Sequence, residues 1–394
     1  MEKEQQVLIA LLDDFIHKTT PQLPKEINWD DVVYLAAINS VLGIVSFMIS
    51  RYHLQEDPEV LDACKSYYER SYRHYTRMYR KAEDLLDELR KAGIDHVLFK
   101  GSVLRGLYPV PEFRSFGDID ILIPGDRRAQ SRELLRQLGY EESGAWEPVF
   151  TYKKGREYYE LHTELLETDI PGKPGCRTFF QKPWEHAVLQ QEHTCHFDAE
   201  YHFLYLLTHL AKHMTSSGAG IRMYMDLAVY VKHYGKQLNW ERIRQDLAQM
   251  DLLTFARTAM TAVRWWFRED CPLADDSIPE EYLEELTECI LFGGTFGRED
   301  KDSGMLDLSR EDRQSGGANR LNILRKRLFP PASQIKARYT YLQKRPWLLP
   351  VAWIHRFIIT WDSRKKHTQE LKQIFHADME EAQEWNELIK KAGL

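Results

Sequence analysis

The chain has little net basic charge: 53 Lys and Arg stand against 60 Asp and Glu in 394 residues, a formal net charge of −7. This argues against a protein that holds long nucleic acid through a basic surface, which needs clustered cations. A nucleotide-sized ligand needs only a local cluster. Cysteine is also scarce. The five cysteines, Cys64, Cys176, Cys195, Cys271 and Cys289, are scattered, odd in number and form no Cys-x-x-Cys pair, which excludes a disulfide framework and points to reduced thiols in a cytoplasmic protein. No apolar run reaches the roughly 20 residues of a spanning helix. The most apolar stretch, residues 347–361, is broken by His355 and Arg356 and reads as a buried or interfacial helix, so no integral membrane segment is expected. The charged start, Met1-Glu2-Lys3-Glu4, leads into no apolar segment or small-residue cleavage site, so no secretory signal is expected. No repeat of fixed period occurs.

What is present fits a globular enzyme. The hydrophobic fraction of 43% and charged fraction of 29% are near the averages for globular chains, and the length suggests two or three folding units. Residues 1–92 read as helices from the spacing of Leu8, Leu11, Leu12 and Phe15 and from the rhythm of 60–90, with Gly93 as a stop. Residues 93–198 change texture: an apolar run at 96–99, a helix at 103–108, an alternating strand over 118–123, an amphipathic helix over 126–138, and a strand pair at 147–152 and 156–165 turning at Lys153-Lys154-Gly155. Residues 199–394 return to helix, clearest at 201–214, 221–234 and 240–267, with a polar, Gly-rich loop near 296–317 expected to be mobile. The predicted class is α+β, a small mixed-sheet core flanked by helical N- and C-terminal regions, with its active site facing the C-terminal helices.

Strand periodicity puts Asp118 and Asp120 on one face and Ile119, Ile121 and Ile123 on the other. Two carboxylates on a rigid strand suit Mg²⁺, and Mn²⁺ is also admissible. Alone, such a pair is more often a solvated surface feature. The Lys100-Gly101-Ser102 turn, where Gly101 permits close backbone approach and helix amides favour an anion, is also ordinary when isolated. The turn, Arg114 and the acidic strand within about twenty residues are harder to explain so. Glu160, with Tyr158 and His162 on one face of a further strand, is the candidate third carboxylate of a two-metal site.

The run Leu98-Phe99-Lys100-Gly101-Ser102, then Leu104, Tyr108-Pro109, the segment from Arg114 through Asp118 and Asp120 to Ile123, and Glu160-Leu161-His162 resembles the uncharacterised nucleotidyltransferase-like family of the DNA polymerase beta superfamily. The resemblance extends through His209-Leu210-Ala211-Lys212-His213, Arg222 with Asp226, and Leu328-Phe329-Pro330. It implies that Asp118 and Asp120 bind both metals, that Glu160 completes the second site and helps activate an acceptor hydroxyl, and that Ser102 and the Gly101 backbone grip the β- and γ-phosphates. Lys100 and Arg114 would neutralise phosphate charge, Arg114 through a bidentate contact. Lys212, Arg222 and Asp226 would line the nucleotide cleft, a salt-bridged helix surface being the equal alternative. The implied reaction moves a nucleoside monophosphate from an NTP to a hydroxyl or phosphate on a small molecule, sugar derivative or peptide. A metal-dependent glycosyltransferase and a catalytically silent nucleotide-binding module are the competing readings. His209 with His213, and His193 with Cys195 and His196, are incomplete metal-ligand sets, more often structural.

Overall fold

The computed structural model describes residues 1–293 apart from 116, 147 and 217, together with 308–309, 323, 325, 328–335, 341–359 and 379–394. The expected mobile loop at 296–317 lies outside the described residues save for Leu308 and Ser309.

Helices α1 (Lys3–His17), α2 (Trp29–Ile38), α3 (Leu42–Tyr52) and α4 (Pro58–Lys91) come first. α4 starts where Asp57 accepts from the Glu59 amide at 2.9 Å and Pro58 occupies the first helical position. At 1.5 Å per residue its 34 residues span about 50 Å. Its C-terminal half buries Ala82, Leu85, Leu86 and Leu89 against the sheet, while α3 packs along it. Gly93, at φ +65°, follows the helix end as expected.

Next come β1 (His96–Leu98), α5 (Gly101–Leu104), β2 (Ile119–Leu122), α6 (Arg128–Gln137), β3 (Glu141–Trp146), β4 (Val149–Lys154), β5 (Glu157–His162), α7 (Cys176–Phe179), β6 (Ala187–Gln191) and β7 (Thr194–Phe197). The strands form one mixed sheet in the order β3-β4-β5-β2-β1-β7-β6, with β2–β5 and β1–β7 parallel. Ile119, Ile121, Ile123, Tyr159 and Leu161 pack with α4 and α6 on one face. The opposite face places Val97, Phe99 and Leu122 in the larger core, against α8 (Ala199–Ser216), which is buried on almost every side. α9 (Ile221–Tyr234), α10 (Trp240–Gln249), α11 (Leu253–Phe267) and α12 (Glu280–Gly293) complete that core with α1.

The α+β class with helical flanks is borne out. The structure adds strands β3, β6 and β7. The helix expected over 103–108 is shorter, α5 followed by a 3₁₀ turn at Arg105–Leu107. The helix expected over 240–267 is two, separated at Asp251, whose φ is +54°. Within 347–361 the described helix is Leu349–Ile359, where Ala352 is buried while Trp347, before it, and Val351 are exposed. No helix among the described residues is long and apolar enough to cross a membrane.

Candidate active site

With its isoleucines committed to the α4 face, β2 turns Asp118 and Asp120 to the other, where Asp120 is only 4% exposed. β5 runs parallel beside it, in register Asp120 to Glu160 and Leu122 to His162. Partners in register project to one face, so the third carboxylate stands beside the pair. Donor atoms of Asp120, Glu160 and His162 lie within 4.8 Å of one another. Burial and the charge of Asp120 raise the Asp118 carboxyl to about 6, with Lys100 opposing and Glu160 reinforcing the shift. Burial would raise Asp120 too, but Lys100 and His162 outweigh it and hold that carboxyl well below the usual range. Lys100 Nζ donates to Asp120 Oδ1 at 2.8 Å, and His162 Nε2 lies 2.8 Å from the same oxygen. Burial works against the Lys100 ammonium, yet Asp120 more than offsets it and raises its pKa.

The Lys100 backbone sits at φ 53°, ψ −133°, a region that non-glycine residues enter at a cost of roughly 1–3 kcal/mol. This turn brings the lysine from β1 back over β2. Gly101 follows, and a Cβ there would overlap the Arg114 guanidinium. Arg114 makes the expected bidentate contact, but to a carboxylate of its own chain: Nη2 meets Asp226 Oδ2 at 2.6 Å and Nε meets Oδ1 at 3.2 Å. Tyr108 Oη donates to Asp226 Oδ1 at 2.8 Å, completing a buried triad. Sequence spacing pointed Arg114 toward phosphate; the structure gives its charge to Asp226. Ser102 is half-buried on α5, and its hydroxyl makes no hydrogen bond among the described residues.

Asp118 and Glu160 open onto a cleft of about 590 Å³. The expectation looked to the C-terminal helices for the facing wall. From that side Arg222 lines the cleft, but the larger part of the wall is N-terminal: Ala37, Gly43, Tyr67, Ser71 and Tyr75. Arg222 Nη1 donates to the Ser115 carbonyl and hydroxyl, both at 3.0 Å, and makes no ion pair among the described residues. Its Nε is buried and has no hydrogen-bond partner among the described residues. Burial and the neighbouring Arg114 lower its pKa. Lys212 is exposed; surrounding protein and the Lys100 charge lower its pKa, while Glu167, Glu160 and Asp120 pull the other way.

His209 and His213 stack edge to face with centroids 4.5 Å apart, and burial, with Lys100 beyond it, lowers both, His213 to about 4. His193 bonds Asp95, and His196 the Phe197 carbonyl. Neither set gathers three metal donors among the described residues. His162 is the residue that sequence reasoning placed on the right face without giving it a role.

Residues 25–268 match the family model described as uncharacterised nucleotidyltransferase. The chain belongs to that family of nucleotidyltransferases. No curated protein matches the sequence. Among solved structures it is similar to the solution structure of the antibiotic-resistance factor ANT(2'')-Ia, at 14% identity and a TM-score of 0.33, over 44% of this chain and 92% of that one. A likeness that loose carries no functional inference. Nucleotidyltransferases generally use divalent metals, and Asp120, Glu160 and His162 offer donor atoms close enough together to hold one.

Proposed function

We propose that the chain transfers a nucleoside monophosphate from an NTP to a hydroxyl or phosphate of a small molecule, sugar derivative or peptide, with Mg²⁺ or Mn²⁺ held by Asp118, Asp120 and Glu160. The observation that carries this reading is the parallel register of Asp120 with Glu160, Asp118 sharing their face at the wall of a nucleotide-sized cleft. Bound there, divalent cations polarise the α-phosphate and neutralise the charge that develops on the leaving pyrophosphate. The chain's own residues do the rest. Arg222, lining the cleft without an ion pair among the described residues, binds phosphate oxygens, and Lys212 adds a second positive charge. Lys100 holds Asp120 in place and is near enough to exchange that carboxylate for a phosphate. Ser102 and the Gly101 amide cap the triphosphate from the first turn of α5, where backbone N–H groups lack intrahelical partners. Arg114 acts through Asp226 and Gly101, fixing the turn that presents these groups. Glu160 helps draw the proton from the acceptor hydroxyl as it attacks in line. The scattered thiols suit a cytoplasmic setting.

The test is incubation with labelled NTPs, divalent cation and a metabolite extract, followed by mass spectrometry for a product heavier by a nucleoside monophosphate, with pyrophosphate measured in parallel. Wild-type chain yields both, and Asp120→Asn lowers pyrophosphate release at least about a hundredfold, the scale of losing one transition-state electrostatic contact. Full activity in Asp120→Asn ends the reading.

A further inference from the structure

We propose that His162 is an imidazole ligand of one divalent-cation position, which gives the site a preference for first-row transition ions such as Mn²⁺ or Co²⁺ over Mg²⁺. The inference rests on the metal-assisted reading above but concerns the donor set, not the reaction.

His162 Nε2 lies 2.8 Å from Asp120 Oδ1 and 3.6 Å from Glu160 Oε2, between the two carboxylates. Donors on an ion at about 2.1 Å stand about 3 Å apart when adjacent and about 4 Å when opposite. One donor from each of the three residues already falls within 4.8 Å of the others, close to the span that adjacent and opposite ligands of one ion require. The positions are held by backbone: β5 carries Glu160 and His162 two residues apart on one face, and its register with β2 sets Asp120 beside them. The ring is fixed as well, its side chain 5% exposed and T-shaped against Phe99, centroids 5.1 Å apart.

Nε2 is the ring nitrogen that faces the carboxylates. Nδ1, buried and without a hydrogen-bond partner among the described residues, would carry the ring proton in the tautomer that leaves Nε2 as donor. A nitrogen donor also changes which ion is favoured. Mg²⁺ takes oxygen ligands and waters, whereas imidazole strengthens binding along the first-row series from Mn²⁺ upward. A site of three carboxylates would lack that bias.

The test uses the full chain and metal alone, without nucleotide. Electron spin-echo envelope modulation of bound Mn²⁺ in the wild-type chain is expected to show ¹⁴N coupling from a directly bound imidazole, lost in His162→Gln. Calorimetric titration should show Co²⁺ preferred over Mg²⁺, and that ratio falling at least about tenfold in His162→Gln, on the scale of losing a group that tunes a metal site. Absence of ¹⁴N coupling in the wild-type chain, its persistence in the variant, or an unchanged Co²⁺ to Mg²⁺ ratio overturns the proposal. Should His162→Gln fail to fold, as far-ultraviolet circular dichroism will show, the wild-type ¹⁴N spectrum decides alone. Pyrophosphate release separates the two readings. Coupling without release from any NTP ends the transferase reading and leaves this one, while release without coupling does the reverse.

Discussion

Gly101 has a hydrogen where any other residue carries a Cβ, and the Arg114 guanidinium fills that volume. Forcing a methyl into it displaces a buried cation from Asp226, so Gly101→Ala should cost about 1–3 kcal/mol in urea unfolding, the usual range for overpacking. Gly106→Ala, with nothing within 4 Å of the new carbon, should stay within about 0.5 kcal/mol of wild type. Equal effects at both glycines would refute the packing argument. Asp226→Ala strands Arg114 buried and unpaired, which costs about 3–5 kcal/mol. Because both changes strike one contact, the double variant should lose measurably less than the sum of the single losses. At this scale the sequence was informative about which residues matter and less so about what they touch. Lys100, Gly101 and Arg114 stood out through turn chemistry and charge. The partner of Arg114 lies 112 positions later on α9, and spacing within one segment carries no record of it. That Glu160 shares a strand face with Tyr158 and His162 follows from alternation alone; its register with Asp120 does not, because the pairing of β5 with β2 is a long-range choice.

Among the elements, β2 and β5 were legible because burial on one face alternates with acid on the other. β3, β6 and β7 were not. β6 lies at a sheet edge with Leu189 67% exposed, and its partner follows a Glu192-His193 turn, so no apolar alternation marks the hairpin. β3 reads Glu-Glu-Ser-Gly-Ala-Trp and has a register shift between Glu142 and Gly144, a bulge that breaks the period of two. α8 is buried on almost every side, and a stripe that wide identifies a buried helix without orienting it. It carries His202, 4% exposed and with no hydrogen-bond partner for Nε2 among the described residues. Burial, with His196 adding to it, lowers this imidazole from 6.5 to about 4. Below pH 6.5 the unfolded chain gains a proton there that the folded chain refuses, so stability falls as pH drops from 6.5 to 4 and this contribution levels off below. The full effect is on the order of 3 kcal/mol. Replacing His202 with Gln should flatten that part of the stability profile in urea titrations at each pH; an unchanged slope between pH 6.5 and 4 would contradict the assignment.

The whole molecule builds its cleft from parts far apart in the chain. Tyr67, Ser71 and Tyr75 come from α4, Asp118 and Glu160 from the core, and Arg222 from α9. Local pattern could find the carboxylates, but which helices wall them in depends on how a 34-residue helix, packed against the sheet through Ala82, Leu85, Leu86 and Leu89, sets Tyr67, Ser71 and Tyr75 at the cleft. That long-range packing is why spacing within one segment carries no sign of the N-terminal wall. Arg222 is the cleft's cation without an ion pair among the described residues, so Arg222→Ala should weaken NTP affinity about ten- to hundredfold, the scale of a lost charged hydrogen bond. Fluorescence titration with a labelled NTP checks it, and unchanged affinity would remove Arg222 from the phosphate site.

The central claim is that Asp118, Asp120 and Glu160 join an NTP to this chain through divalent cations, and calorimetry with an α,β-methylene NTP analogue, with and without the cation, tests it most directly. The account predicts that cation tightens analogue binding at least about tenfold in the wild-type chain, about 1.4 kcal/mol, and that Asp118→Asn with Glu160→Gln abolishes the gain. Equal affinity in cation and in chelator, or an undiminished gain in the double variant, would contradict it.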